Sequence, residues 1–485
     1  MNDQVFGGDV IKNGCRWAIC LFILLTGITA VSISATTTND LTLDWTTEGN
    51  EDGEALGTSV AHAGDVNGDG FADILVGAPK DSSFTYRAGS ALGFHGSAGG
   101  TSASANWHVG SDLQGSEFGF SVSSAGDIND DGYDDVVIGA PQYKNGESHE
   151  GRVTVFLGSH TGLQTTPHRL LEINLKEAQF GYAVSSAGDV NKDGYDDVLI
   201  GANEFENEQP TEGAAFLYLG SDSGLAETAV WQYESNEAGA KLGTAVAGGG
   251  DVNNDGYDDI LISAPRMNHD ETAATGAVML FLGSETGPNG QPDWIVYGSH
   301  EDCWFGKSIA FAGNTNGDDY DDMLIGAPHF SNGENDEGAV YLFMGGSQLA
   351  QTAVWQTQSN QANALMGTAV SGAGDVNNDG YDDILIGASH FTVDQKEEGR
   401  VSLFLGAPAG VSFLPAWQSS GDKAETQFGS SVSSAGKTNG DLYDDILVGA
   451  PLFRINHDLV GKSFLFLGAD ITVDEQHVYL PMIVR

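Results

Sequence analysis

Cysteine is nearly absent from this chain, with three in 485 residues. Two of them, Cys15 and Cys20, lie within the first 35 residues, so a processed chain keeps Cys303 alone and forms no internal disulfide. Stability must then come from packing and from bound metal. Cys303 has no His partner at a telling spacing, and an inert buried thiol is its expected state. Basic residues are equally scarce: 19 Lys and Arg stand against 68 Asp and Glu, for a formal charge of -49. A nucleic-acid backbone or an anionic membrane surface would be repelled, so cations or basic partners fit better. No G-x-S-x-G elbow, H-E-x-x-H helix or phosphate-binding loop occurs, and the twelve histidines share no metal-ligand spacing.

What is abundant is glycine, 67 residues, beside an ordinary hydrophobic fraction of 40%. That combination suits an all-β protein with many turns and a true core. Residues 1–35 read as an export signal: Lys12 and Arg16 precede an apolar run from Trp17 to Val31, followed by Ser32, Ser34 and Ala35. Cleavage near Ala35 is expected, the alternative being an uncleaved anchor. Either way the bulk of the chain lies outside the cytoplasm, secreted or at the cell surface.

The remaining residues repeat. Short acidic segments start at Asp65, Asp127, Asp189, Asp251, Asn314, Asp375 and Lys437, separated by 61 to 63 residues, and they hold 27 of the 68 acids. Seven copies of such a period, made of short apolar runs split by Gly and Asp, predict a seven-bladed β-propeller of four-stranded antiparallel blades over residues 36–485. An inner strand of small residues, as in Ser121-Val122-Ser123-Ser124-Ala125-Gly126, precedes each acidic loop. An apolar second strand follows and ends in Gly-Ala-Pro or a near variant, since Pro stops a ladder. A third strand alternates in period two, as in Val401-Ser402-Leu403-Phe404. A fourth carries Trp: Trp45, Trp107, Trp231, Trp294, Trp355 and Trp417 each stand 20 residues before the next acidic loop, with Leu170 near the corresponding place in the third unit. So strict a phase favours packing between blades over sugar stacking. Two segments have the phase to complete the last blade, Leu41 to Trp45 and Val478 to Met482, and the first is expected to do so.

The pattern D-x-N-x-D-G-x-x-D recurs in five loops. Oxygens at positions 1, 3, 5 and 9, with the carbonyl of position 7, supply the hard ligands calcium takes, and Gly at position 6 permits the sharp turn. The candidate ligands are Asp65, Asn67, Asp69, Phe71 and Asp73; Asp127, Asn129, Asp131, Tyr133 and Asp135; Asp189, Asn191, Asp193, Tyr195 and Asp197; Asp251, Asn253, Asp255, Tyr257 and Asp259; and Asp375, Asn377, Asp379, Tyr381 and Asp383. The spacing is like the start of an EF-hand loop, without its bidentate Glu and with strands on both sides. Asn and Asp also form turns unaided. Yet carboxylates about 4 Å apart repel by about 1 kcal/mol per pair in water and about 4 at an effective dielectric near 20. Turn preference would not offset that five times over.

Two loops break the pattern. The fifth keeps Asn314, Asn316, Asp318, Tyr320 and Asp322 but has Asn at position 1 and Asp319 in place of Gly, so weaker binding is expected. The seventh has Lys437 at position 1 and Leu442 at the Gly position. A γ-branched side chain disfavours positive φ, so this turn should change shape, with the Lys437 ammonium set among Asp441 and Asp445 in place of an ion. The expected count is five strong calcium sites, one weak and one empty.

Phe-Gly opening the unit, Gly-Ala-Pro closing the second strand and the acidic loop between them resemble the FG-GAP repeat of the integrin α-subunit head, over roughly residues 41 to 485. Full Gly-Ala-Pro stands at Gly77 to Pro79, Gly139 to Pro141, Gly326 to Pro328 and Gly449 to Pro451. Leu56, Leu242 and Met366 replace the Phe, apolar changes that leave the fold intact. The resemblance implies the propeller, calcium and a binding role, adhesion or protein-ligand binding, in a monomer. No integrin legs or membrane span are expected after the propeller, so the resemblance is expected to imply no β-subunit partner. A propeller lectin holding a glycan between blades is the alternative, and a polysaccharide- or lipid-degrading enzyme a further one. In blades two to seven the loop after Gly-Ala-Pro or its variant carries an apolar residue, Tyr143, Phe205, Met267, Phe330, Phe391 or Phe453, whose regular phase favours packing over a partner surface.

Overall fold

The structure, a computed structural model, describes residues 40–269 and 274–472. The export segment and the Val478 to Met482 stretch lie outside these. Seven four-stranded antiparallel sheets make up the described residues, with one short ribbon at Arg454–Ile455 and Asp458–Leu459. The second blade is typical: Ser121–Gly126, Asp135–Ala140, Arg152–Phe156 and Arg169–Leu171 pair in chain order. Its second strand, like the same strand in every blade, is buried along its whole length, which is why that segment reads as an unbroken apolar run. The inner strand keeps small residues because neighbouring inner strands crowd there. An added Cβ at Gly248 would lie 2.5 Å from the backbone of Ala187 in the preceding blade.

The two motif glycines meet across the blade boundary. A Cβ on Gly77, from Gly-Ala-Pro of the first blade, would fall 2.1 Å from the carbonyl oxygen of Gly119, from Phe-Gly of the second. Gly119 has φ +82° and donates its amide to Gly139 in its own blade. Both must therefore lack a side chain, one for space and one for conformation.

Tryptophans lock the blades from outside. Trp45, Trp107, Trp231, Trp294, Trp355 and Trp417 each set an edge against Phe94, Phe156, Phe281, Phe343, Phe404 or Phe466 of the next blade, at centroid distances from 4.7 to 5.3 Å. Four of the indoles also donate to a carbonyl of that blade, as Trp107 does to Gln164 at 3.0 Å. The packing reading of these residues therefore stands. Its third-unit substitute is corrected: the Trp place belongs to Arg169, not to Leu170, which is 54% exposed. Arg169 pairs with Val155 as Trp107 pairs with Gly93, and its Nε donates to the Leu225 carbonyl at 2.8 Å. An open cleft of about 530 Å³ lies beside it. Arg169→Trp is expected to fill that cleft and raise the melting temperature by about 1–4 °C, read by a thermal melt, whereas a lowered value would mean the cleft cannot admit an indole.

The ring closes through the N-terminal strand. Thr42–Glu48 pairs antiparallel with Lys462–Leu467, giving the seventh blade its outer strand in the order expected for Leu41 to Trp45. The apolar residues after Gly-Ala-Pro are interior: Tyr143, Phe205, Met267, Phe330 and Phe453 are buried and Phe391 half-buried. Cys303 is buried and unpaired, with its thiol raised by burial.

Candidate metal centres

Each acidic loop is a tight turn joining the inner and second strands, and its side chains fold back over its own amides. In the first loop the Asp65 carboxylate accepts from the amides of Asp69 and Gly70 at 3.0 and 2.7 Å, and Asp69 accepts from Phe71 at 3.1 Å. Loops two, three, four and six repeat this, and there the position-3 carboxamides of Asn129, Asn191, Asn253 and Asn377 accept the position-5 amide as well. Positions 1, 3 and 5 are thus gathered on one turn. Two residues of the turn are left-handed. Position 6 is Gly70, Gly132, Gly194, Gly256 or Gly380, as expected, while position 4, which the sequence pattern does not mark, is Gly68, Asp130, Lys192, Asn254 or Asn378 with φ from 53 to 70°. Asp and Asn tolerate that conformation better than most residues.

Position 9 sits deeper than a simple ligand list implies. Asp73 is 1% exposed, and its two oxygens accept from Val66 and Gly96 at 3.1 and 2.9 Å. The same two amide contacts recur at Asp135, Asp197, Asp259, Asp322, Asp383 and Asp445. This aspartate therefore ties the loop to the end of the third strand in all seven blades, whatever the loop binds. Burial pushes its carboxyl up, to about 7 in Asp73 and Asp259 and about 8 in Asp135, Asp197 and Asp383, with the other loop acids adding to the rise.

Loops five and seven differ in a way that extends the sequence reading. Both have Thr at position 2 where the others have Val or Ile, and the hydroxyls of Thr315 and Thr438 donate to Asp322 and Asp445, the latter at 2.6 Å. The extra donor holds those carboxyls lower, at about 6. Asp319 keeps the left-handed turn with φ 69°, while Leu442 does not adopt positive φ and is 65% exposed, so the seventh turn does change shape. Lys437 is corrected: its ammonium reaches Asp444 at 3.1 Å, not Asp441 or Asp445. Asp445 is already satisfied by two amides and a hydroxyl. Thr438→Val should remove a buried donor and cost about 1–3 kcal/mol in a denaturant melt, with no recovery on adding calcium; recovery would mean that the seventh loop takes the ion after all.

A second set of acids escaped the sequence reading. Position 8, adjacent to the assigned ligand, is Asp in blades two to seven. Asp134, Asp196, Asp258, Asp321, Asp382 and Asp444 each accept the position-1 amide of the preceding blade at 2.6 to 3.0 Å, and return their own amide to that residue's carbonyl. A ring of two-point staples results. It is broken where blade seven meets blade one: Ala72 donates to the Lys437 carbonyl but has no carboxylate, and His62 stands in the space instead.

The donor chemistry of the five intact loops fits calcium. All side-chain donors are hard carboxylate or carboxamide oxygens, they are carried on one turn, and each carboxylate oxygen that takes one amide keeps a lone pair. As the chain is folded here, no three acidic, His or Cys side chains among the described residues are grouped to hold an ion. Among the described residues no helix is long and apolar enough to cross a membrane.

The FG-GAP repeat family matches at residues 56–92, 118–156, 180–215, 242–281, 305–343 and 366–404. These are blades one to six; the seventh has the Lys437 loop. The chain is a β-propeller of FG-GAP repeats. More particularly it is an integrin-like one, similar to integrin alpha-5 of Xenopus laevis, with 33% identity over 44% of this chain and 20% of that protein. It is also similar to integrin alpha-PS3 of Drosophila melanogaster, with 36% identity over 31% of this chain and 14% of that protein. Phosphatidylinositol-glycan-specific phospholipase D of Bos taurus is 30% identical over 64% of this chain and 39% of that protein. The chain thus spans well under half of each of these relatives.

Proposed function

We propose that this chain is an extracellular calcium-stabilised binding module, in which the propeller is a rigid scaffold and the loops between second and third strands present the ligand surface. One observation carries the reading: the oxygen-rich turn is repeated in five loops at one end of the second strands, while the loops at the other end differ and in the first blade expose Phe84 (49%) and Tyr86 (63%). Carboxylates repeated in this way serve the scaffold, since a reaction centre would be one constellation departing from the repeat. Asp65, Asn67 and Asp69 and their counterparts would hold the ion, with position 9 beneath. The ion supplies a fixed positive charge that offsets the repulsion within each loop. Secretion or surface display belongs to the same reading, through the segment 1–35.

Metal analysis after equilibration with millimolar calcium should return five to six ions per chain. Seven would refute an empty Lys437 loop, and fewer than four would overturn the assignment of the intact ones. Affinity should lie at ~0.1–1 mM, as in other extracellular modules. A pull-down from the cell envelope and medium would identify a protein partner, and a glycan array would favour the lectin reading instead. The likeness to the phospholipase D favours a third reading, a propeller serving a lipid hydrolase; turnover of a phosphatidylinositol glycan by the pure chain would establish it in place of the binding role.

A further inference from the structure

One side chain in the outer groove between blades five and six lacks the partner that its equivalents have. Three blades start their third strand with a basic residue that lies over the buried or half-buried aromatic after the Gly-Ala-Pro position. Arg152 lies 3.5 Å from the Tyr143 ring centroid, Lys462 5.0 Å from Phe453, and Arg400 3.9 Å from Phe391. In two of them an acid answers from the fourth strand, Glu48 directly across the ladder and Glu172 just past the strand's end. Arg152 is paired with Glu172, and Lys462 with Glu48 at 2.7 Å. Across from Arg400 stands Ser420. The Arg400 guanidinium makes no ion pair or hydrogen bond among the described residues; the buried Glu398 carboxylate acts on it only at a distance, its oxygens being taken by the amides of Val393, Asp394 and Gln395.

The groove it faces has room for a small ligand. Its volume is about 570 Å³, and Arg400, Phe391, Phe413, Leu414, Gln358 and Gln418 line it. Phe413 is 63% exposed and Leu414 38%, both turned out beside the fourth strand. The other polar groups of the groove are neutral amides and hydroxyls; Gln418 donates to Ser402 at 2.9 Å and keeps its carbonyl. An exposed aromatic face, neutral amides and one unpaired planar cation match a pyranose ring carrying a carboxylate. The net charge of -49 opposes any anion at long range, but is screened beyond about 8 Å at physiological ionic strength, so the local pair decides.

We propose that the groove between blades five and six binds a uronate-type sugar, its carboxylate forked by Arg400 and its ring face on Phe413. This rests on the reading of the propeller as a binding module and adds to it a second ligand site, on the blade flank beside the loops between second and third strands, with a ligand class of its own. The test is calorimetric titration of the calcium-loaded full chain with a glucuronate-containing tetrasaccharide, beside its carboxyl-reduced counterpart and a short acidic peptide. The acidic sugar should bind, and the reduced one about 10- to 100-fold more weakly. Arg400→Gln should show the same loss. Ser420→Glu keeps the arginine but supplies the cross-strand acid that Glu172 and Glu48 supply elsewhere, so it too should weaken binding about 10-fold or more while leaving the melting temperature unchanged. The proposal is overturned by equal binding of the reduced sugar, by wild-type affinity in Ser420→Glu, by no sugar binding at all, or by tighter binding of the peptide. If the sugar fails while a pull-down still captures a partner on the Ser420→Glu chain, the groove assignment falls and the binding module stands.

Discussion

Removal of residues 40–48 is expected to abolish the cooperative thermal transition or to lower its midpoint by more than 10 °C. Thr42–Glu48 is the seventh blade's outer strand, and it joins the two ends of the ring. With it go Trp45, 6% exposed, edge-on to Phe94 at 4.7 Å and donating to Ser102 in the first blade. Leu41, also 6% exposed, packs with Trp417 and Phe466 on the other side of the junction. Emptying the Trp45 site alone, as Trp45→Ala, should cost about 3–5 kcal/mol. Deleting the whole strand also leaves Lys462–Leu467 as an unpaired edge and Lys462 without Glu48. Staples elsewhere in the ring would not compensate, because this junction is also the one where Ala72 replaces the stapling aspartate. A truncated chain melting within a few degrees of the full one would show that the ring holds without its velcro strand.

The repeat made much of this legible. Period, strand order, the phase of the tryptophans and the closing strand are all local patterns copied along the chain, and each copy lends weight to the others. Leu442 was readable for the same reason: at a position fixed by turn geometry, one wrong side chain stands out. The stapling acids stayed hidden because each acts on a residue about 69 positions away. Asp196 looks like a spare acid beside Asp197 until the amide of Asp127 in the preceding blade is placed against it. Arg169 was missed because an arginine gives no apolar signal, although its aliphatic stem and Nε do part of an indole's work. The Thr at position 2 of loops five and seven shows only once position 9 is known to be buried. The unpaired state of Arg400 emerges only when its rung of the ladder is compared with those of Arg152 and Lys462.

Calcium should stabilise this protein strongly, and by more as pH rises. In the metal-free chain the position-9 carboxyls titrate between about 6, in Asp322 and Asp445, and about 8, in Asp135, Asp197 and Asp383. Their ordinary value is 3.8, and burial is the first cause of the rise. The folded form therefore binds protons more tightly than the unfolded chain. That contribution to stability is fully present below about pH 4 and is lost as pH climbs through about 6 to 8, where the unfolded chain ionises freely and the folded one must carry buried charges. Bound calcium would reverse the slope, because it would favour the ionised carboxylates that protons otherwise cover. In chelator, then, the melting temperature should fall from pH 5 to pH 8; in millimolar calcium it should hold or rise, and the gap between the two should widen with pH. At about ten times the dissociation constant, which millimolar calcium reaches for a site of about 0.1 mM, each site adds about 1.4 kcal/mol if the unfolded chain does not bind, so five loops together outweigh any single substitution discussed above. Asp135→Asn separates the two effects. It removes one titrating group and one ligand charge while keeping an oxygen for the Gly158 or Ile128 amide, so it should flatten the chelator slope by about a fifth to a seventh and narrow the calcium gap at pH 8. Melting curves in chelator that are flat between pH 5 and pH 8 would mean that the buried aspartates are already charged in the folded chain, and a calcium gap that fails to grow would detach them from the ion.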